Sequence, residues 1–173
     1  MITSDRLVTD AAFCTQIEQL IAFEAMLLDE GRFWEWFDLL EDDYTYLIPV
    51  RNATAVRADE LSATMWRVRD TKTDIKTRIS RMETGVAWSE VPPSMTMRNV
   101  GGVVVARGSR DGEYEVSSAI LAYRHRGTEK VGDWLPARRT DVVRMTAAGP
   151  RFASRVIVFA DTILNTPNLG IFL

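Results

Sequence analysis

Histidine and cysteine are almost missing from this chain: His125 and Cys14 are the only imidazole and thiol among 173 residues. A self-contained zinc, iron–sulfur or non-haem iron site draws on several such ligands, so no metal or cofactor is expected in this chain. The same scarcity excludes an intrachain disulfide and makes any histidine-dependent dyad or triad rest on His125. A surplus of one charge is missing too. The 21 basic and 24 acidic side chains leave a formal charge of −3, mixed in sign along the chain, which is no footprint for a phosphate backbone. Nucleic acid is therefore not an expected partner. Residues 1–10 carry Ser4, Asp5 and Asp10 in place of a basic stretch followed by an apolar run, and no later apolar run is read as reaching spanning length. No membrane partner and a cytoplasmic location are the resulting expectations.

What is present suits one globular domain, 1–173: hydrophobic residues make up 46% and charged residues 26%, enough apolar material for one substantial core. Phe13, Ile17, Leu20, Ile21, Leu27 and Leu28 recur at helical spacing over 11–30, with Thr9 or Asp10 to cap the start and Gly31 to stop the helix. A second helix over 32–40 would place Phe33, Trp34, Trp36, Phe37 and Leu40 on one broad side. Residues 44–50 read as a strand ending near Pro49, and 51–69 as a long excursion with a possible helical turn. Thr71-x-x-Asp74 resembles a capping arrangement, and Ile75, Ile79, Met82 and Val86 continue a third helix over 71–84. Turn residues then separate four strands, 95–107, 113–126, 131–145 and 151–161, with Gly101-Gly102 or Pro136 as candidate bulges. Helices followed by a long meander give an α+β domain whose mainly antiparallel sheet curls around the helices.

Glu24 falls inside the apolar stripe of the first helix, where a solvated acid is out of place. Arg139 and Asp141 share a strand face with Val143 and Met145, so Glu24, Arg139 and Asp141 are candidates for a buried cluster. A structural network in which an arginine neutralises two acids is one outcome. The other is a pocket in which Glu24 or Asp141 abstracts a proton while Tyr44, Tyr46 or Tyr123 hydrogen-bonds an oxyanion. His125 lies near a strand end between Arg124 and Arg126, a setting that fits a solvated rim or subunit contact as well as a base. Cys14 is out of phase with the apolar stripe and forms no Cys/His pair in sequence. The aromatic run Phe33-Trp34-Glu35-Trp36-Phe37 is mostly core material, with one or two side chains left over for an interface. The apolar ending Asn168-Leu169-Gly170-Ile171-Phe172-Leu173 is expected to be buried against the sheet or another subunit.

Five ordered motifs carry a family resemblance. They are Glu24-Ala25-x-Leu27-Leu28-Asp29-Glu30-x-Arg32-Phe33-x-x-Trp36, Asp43-x-x-Tyr46-x-x-Pro49-Val50-Arg51, and Arg78-Ile79-x-Arg81-Met82-x-Thr84-Gly85-x-Ala87-Trp88-x-Glu90-x-Pro92-Pro93-Ser94. Arg138-Arg139-Thr140-Asp141-Val142-Val143-Arg144 and the ending 168–173 complete the set. The chain thereby resembles the small (β) subunit of bacterial aromatic-ring-hydroxylating dioxygenases, a family with an NTF2-like, cystatin-like cone. The resemblance implies a larger α subunit that carries a Rieske [2Fe–2S] cluster and a mononuclear iron, and assembly of three α with three β subunits. It also implies a mainly structural role, with no catalytic, metal or cofactor-binding residue carried over to this chain. Two alternatives stay open. One is a stand-alone isomerase or dehydratase of the same fold, working through Glu24, Asp141 and Tyr44; the other is a module that binds a small ligand within the cone.

Overall fold

The computed structural model describes residues 2–84, 92–128 and 130–173. Helix α1, Ala11–Asp29, starts where the Asp10 carboxylate accepts from the N–H groups of Ala12 and Phe13 at 3.0 and 3.2 Å. That satisfies two donors a helix start otherwise leaves bare. Gly31, at φ +71°, turns the chain into the short helix α2, Phe33–Phe37. The second helix ends sooner than its apolar pattern predicts because β1, Leu40–Arg51, has already begun: the Phe152 N–H donates to the Leu39 carbonyl, and Leu40 pairs with Phe152. Ladder hydrogen bonds to a neighbouring strand override a local helical preference.

The segment 51–69, expected as an excursion, instead supplies strand β2, Leu61–Thr71. It lies at the edge of the sheet with most of its side chains exposed, so it lacks the apolar alternation by which strands are recognised. Thr71 then opens α3, Lys72–Glu83, with a reciprocal capping box: its hydroxyl accepts from the Asp74 N–H while the Asp74 carboxylate accepts from the Thr71 N–H. Ile75 and Ile79 point into the core as expected, whereas Val86 lies outside the described residues.

Four long strands follow, β3 (Ser94–Arg107), β4 (Glu113–Arg126), β5 (Asp133–Thr146) and β6 (Gly149–Phe159). The six strands form one open sheet in the order β2-β1-β6-β5-β4-β3, antiparallel throughout except where β1 runs parallel to β6. The expected bulge at Gly101-Gly102 is present: register slips between Gly101 and Val104, and Gly102 takes φ +59°. Pro136 marks none. It pairs in register with Leu121, and the β5 irregularity falls at Val142/Val143 instead.

Helix α1 packs on β3, and α3 packs on β1 and β2. Their apolar sides share one core with Trp36, Phe152, Ile157 and the ending Ile171-Phe172-Leu173. By length and composition α1 could cross a bilayer, contrary to the sequence expectation, with 19 residues and a mean hydropathy of 1.3. In this fold its stripe of Ile17, Leu20, Ile21, Leu27 and Leu28 is buried within the core. The capping box makes a specific prediction: Thr71→Ala should lower stability by ~1 kcal/mol in urea unfolding, and Thr71→Ser should leave it nearly unchanged. Equal midpoints for Thr71→Ala and the parent chain would show the cap to be energetically idle.

Candidate functional site: a buried charge network

Strand alternation assembles the site. Asp141 on β5 stands directly opposite Arg155 on β6, and Arg139, two residues earlier on β5, stands opposite Ser118 on β4. All four project to the helix-covered face, where Glu24 descends from α1 to meet them. Glu24, Arg139, Asp141 and Arg155 are each 0% exposed. Arg155 grips Asp141 with two bonds, Nε to Oδ1 at 2.6 Å and Nη2 to Oδ2 at 3.2 Å, and its Nη1 also donates to Glu24 Oε1. Arg139 Nη1 donates to Glu24 Oε2 at 3.1 Å, and the Trp36 indole N–H donates to Glu24 Oε1 at 3.0 Å.

Two carboxylates and two guanidiniums thus form a neutral set, and the arginines decide its protonation state. Burial pushes the Glu24 carboxyl up, but the charges of Arg155 and Arg139 and the bonds from Arg155 and Trp36 prevail and hold its pKa at about 2. The Arg155 guanidinium remains charged despite burial, because Asp141 and Glu24 flank it. Glu24 is therefore an ionised, fully engaged anion, the opposite of a base poised near neutrality. Burial pushes the Tyr44 phenol well up, and its hydroxyl finds no hydrogen-bond partner among the described residues.

The structure gathers Glu24, Arg139, Asp141, Tyr44 and Tyr46 into one interior and leaves the other candidates outside it. Tyr123 faces the opposite side of the sheet, where its ring lies 4.9 Å from that of Trp134. His125 shares that outer face and pairs in register with Met95. Cys14 is half-buried, with Sγ 3.5 Å from the Val8 carbonyl. Arg155 escaped the sequence reading, although its signal was there: within a strand over 151–161 it shares parity with Ile157 and Phe159, so an arginine had to be buried.

Neither of two concavities reaches the network. A cavity of about 270 Å³ is lined by Leu28, Phe33, Trp34, Ile79, Arg98 and Ile171 among others. An open groove of about 800 Å³ is lined by Arg51, Leu61, Asn99, Leu121, Pro136, Arg138 and their neighbours. Glu24, Asp141 and Tyr44 line neither, so neither concavity lets a substrate meet them among the described residues. Among the described residues no three His, Cys, Asp or Glu side chains converge as a metal-ligand group. With both carboxylates held by arginines, the network does not fit a metal ion.

Helices laid on one face of a curved, open six-stranded sheet define the NTF2-like, cystatin-like class. A protein of that description from Novosphingobium aromaticivorans superposes at TM-score 0.57 with 17% identity, over 86% of this chain and 82% of that one. The chain belongs to the family of ring-hydroxylating β subunits, whose family model matches residues 23–166. Among curated relatives, the β subunit of N,N-dimethyl phenylurea N-demethylase from Sphingobium sp. is 39% identical over 155 residues, covering 90% of this chain and 88% of the relative. The β subunit of biphenyl 2,3-dioxygenase from Rhodococcus jostii is 34% identical over 169 residues, covering 94% and 90%. A chain of naphthalene 1,2-dioxygenase, solved with indole in its active site, shares the fold at TM-score 0.85 and 20% identity, over 99% of this chain and 95% of that one.

The network predicts an acid-sensitive contribution to stability. Because the folded pKa of Glu24 lies below its ordinary 4.5, its contribution is fully present above about pH 5 and is lost as pH falls towards 2. Glu24→Gln should cost about 3–5 kcal/mol at pH 7, as expected for a broken buried ion pair. The gap between parent and variant should close as urea unfolding is repeated at pH 5, 4 and 3. A gap that stays constant with pH would contradict this account.

Proposed function

We propose that this chain is the structural β subunit of an aromatic-ring-hydroxylating dioxygenase, and that it supports assembly of the iron-bearing α subunits. The observation that carries the proposal is the match to the β-subunit family over 23–166. The interior adds support. Glu24, Arg139, Asp141 and Arg155 are paired with one another and line neither concavity, as a scaffold would have them.

The outer face supports the same role. Met95 and Met97 on the β3 edge, Leu121 on β4 and Trp134 on β5 are exposed, at 65%, 72%, 41% and 58%. Met97, Tyr123 and Trp134 stand in one register row, which makes a contiguous apolar surface on the side that no helix covers among the described residues. Surface of this kind marks protein contact. In the complex we propose, three such chains assemble with three α subunits, in the cytoplasm. The Rieske [2Fe–2S] cluster and the mononuclear iron reside in the α subunits, and electrons from a nicotinamide nucleotide reach them through a reductase. The choice of substrate is assigned to the α subunit rather than to this chain.

Co-expression with the large subunit of the same oxygenase provides the test. The expected product is one complex with the mass of three large and three small chains, its iron following the large chain. Trp134→Glu combined with Met97→Glu should leave the isolated chain folded by circular dichroism yet release it from the complex. A chain that purifies apart from every iron-bearing partner would rule the proposal out.

A further inference from the structure

The ending 168–173 has no regular secondary structure, yet its main chain is held as closely as a strand's. Arg124 Nη1 donates to the Asn168 carbonyl at 2.9 Å, and Arg78 Nη2 to the carbonyls of Leu169 and Ile171 at 3.1 and 3.5 Å. Arg98 Nη2 donates to the Phe172 carbonyl, and Arg155 Nη1 to the main-chain oxygen of Leu173 at 2.9 Å. The Leu173 N–H donates in turn to the Tyr46 hydroxyl at 3.0 Å. The four arginines come from α3, β3, β4 and β6, elements far apart in sequence that converge on this one segment.

The side chains are received as specifically as the main chain. Phe172 is fully buried, with its ring 4.6 Å from Trp36, 5.9 Å from Phe33 and 6.4 Å from Tyr46, and with the Arg78 guanidinium 4.3 Å above it. Leu173 is equally buried, and Ile171 nearly so. Charge-assisted donors that read successive carbonyls, together with apolar pockets for the side chains, are the two components of extended-peptide recognition.

We propose that the cone of this fold is a peptide-binding site whose ligand is the chain's own ending, residues 168–173, which completes the core as an exchangeable tethered ligand. The connection permits this. After β6 the chain runs through 160–167 without helix or strand, and Ile163 there is 79% exposed. The ligand class is an extended peptide with consecutive apolar side chains, the second of them aromatic. The site rests on contacts within this chain and is independent of any α subunit, so its test stands or falls apart from the assembly proposal.

The experiment starts from the full chain with a protease site inserted beside Ile163, folded intact and then cut. After cutting, the tail should remain with the body through gel filtration and exchange for a synthetic peptide of residues 168–173 carrying a fluorophore on its Asn168 end. The same peptide with F172A should compete on the order of a hundredfold more weakly, since an aromatic anchor is deleted from a buried pocket. Removing the tail should lower the melting temperature, and added native peptide should restore it. The proposal is overturned if the cut tail washes away with no loss of thermal stability, if it never exchanges with excess labelled peptide, if the cut chain unfolds outright, or if the F172A peptide competes as well as the native one.

Discussion

Four charges stand together in the interior of this protein, and much of the architecture exists to hold them. Removing two carboxylates and two guanidiniums from water costs several kcal/mol per ion. Only close mutual geometry offsets that. The geometry is supplied by the register of β5 against β6, which sets Asp141 opposite Arg155, and by α1, which lowers Glu24 onto Arg139 and Arg155. A one-residue slip of β6 would turn Arg155 outward and leave Asp141 buried without its closest cation. The network therefore acts less as glue than as a register key, penalising wrong strand pairings more than it rewards the right one.

Arg155 ties this key to the ending of the chain, since one guanidinium nitrogen reaches both Glu24 and the main-chain oxygen of Leu173. Arg98 makes a parallel link, joining Asp29 at the end of α1 to the Phe172 carbonyl. The space that a curved sheet and its helices enclose is thus filled from within by charged pairs and by Ile171-Phe172-Leu173. Beside that filling a cavity of about 270 Å³ remains, lined by Leu28, Phe33, Arg98 and Ile171 among others. The outer face of the sheet, by contrast, carries exposed apolar side chains in register.

Local pattern was a good guide where one element faces one environment. The stripe of α1, the capping box of α3 and the alternation of the four long strands all matched the structure to within about two residues, because burial on one side imposes a period. The guide failed at β2, an edge strand with little burial and so no period, and at the end of α2, where β6 captures the chain. Glu24, Arg139 and Asp141 were legible as a cluster because each is a charge on an apolar face. Arg155 carries the same mark, an arginine in phase with Ile157 and Phe159. The partners of the ending were not legible at all, since Arg78, Arg98 and Arg124 look like ordinary surface arginines until the sheet curls them over it.

Composition and periodicity alone determined that this is an α+β chain with helices first and a meander after, that it has a single imidazole and a single thiol, and that charges lie buried on a helix and a strand. Ordered motifs added the family. The tertiary structure alone decided the parallel pairing of β1 with β6, the pairing of each acid with its arginine, and the seating of the ending inside the cone. The reason is physical: periodicity records which side of an element is buried, a property each segment carries by itself. Which charge meets which is a matter of register and crossing between distant segments, and no local pattern records that.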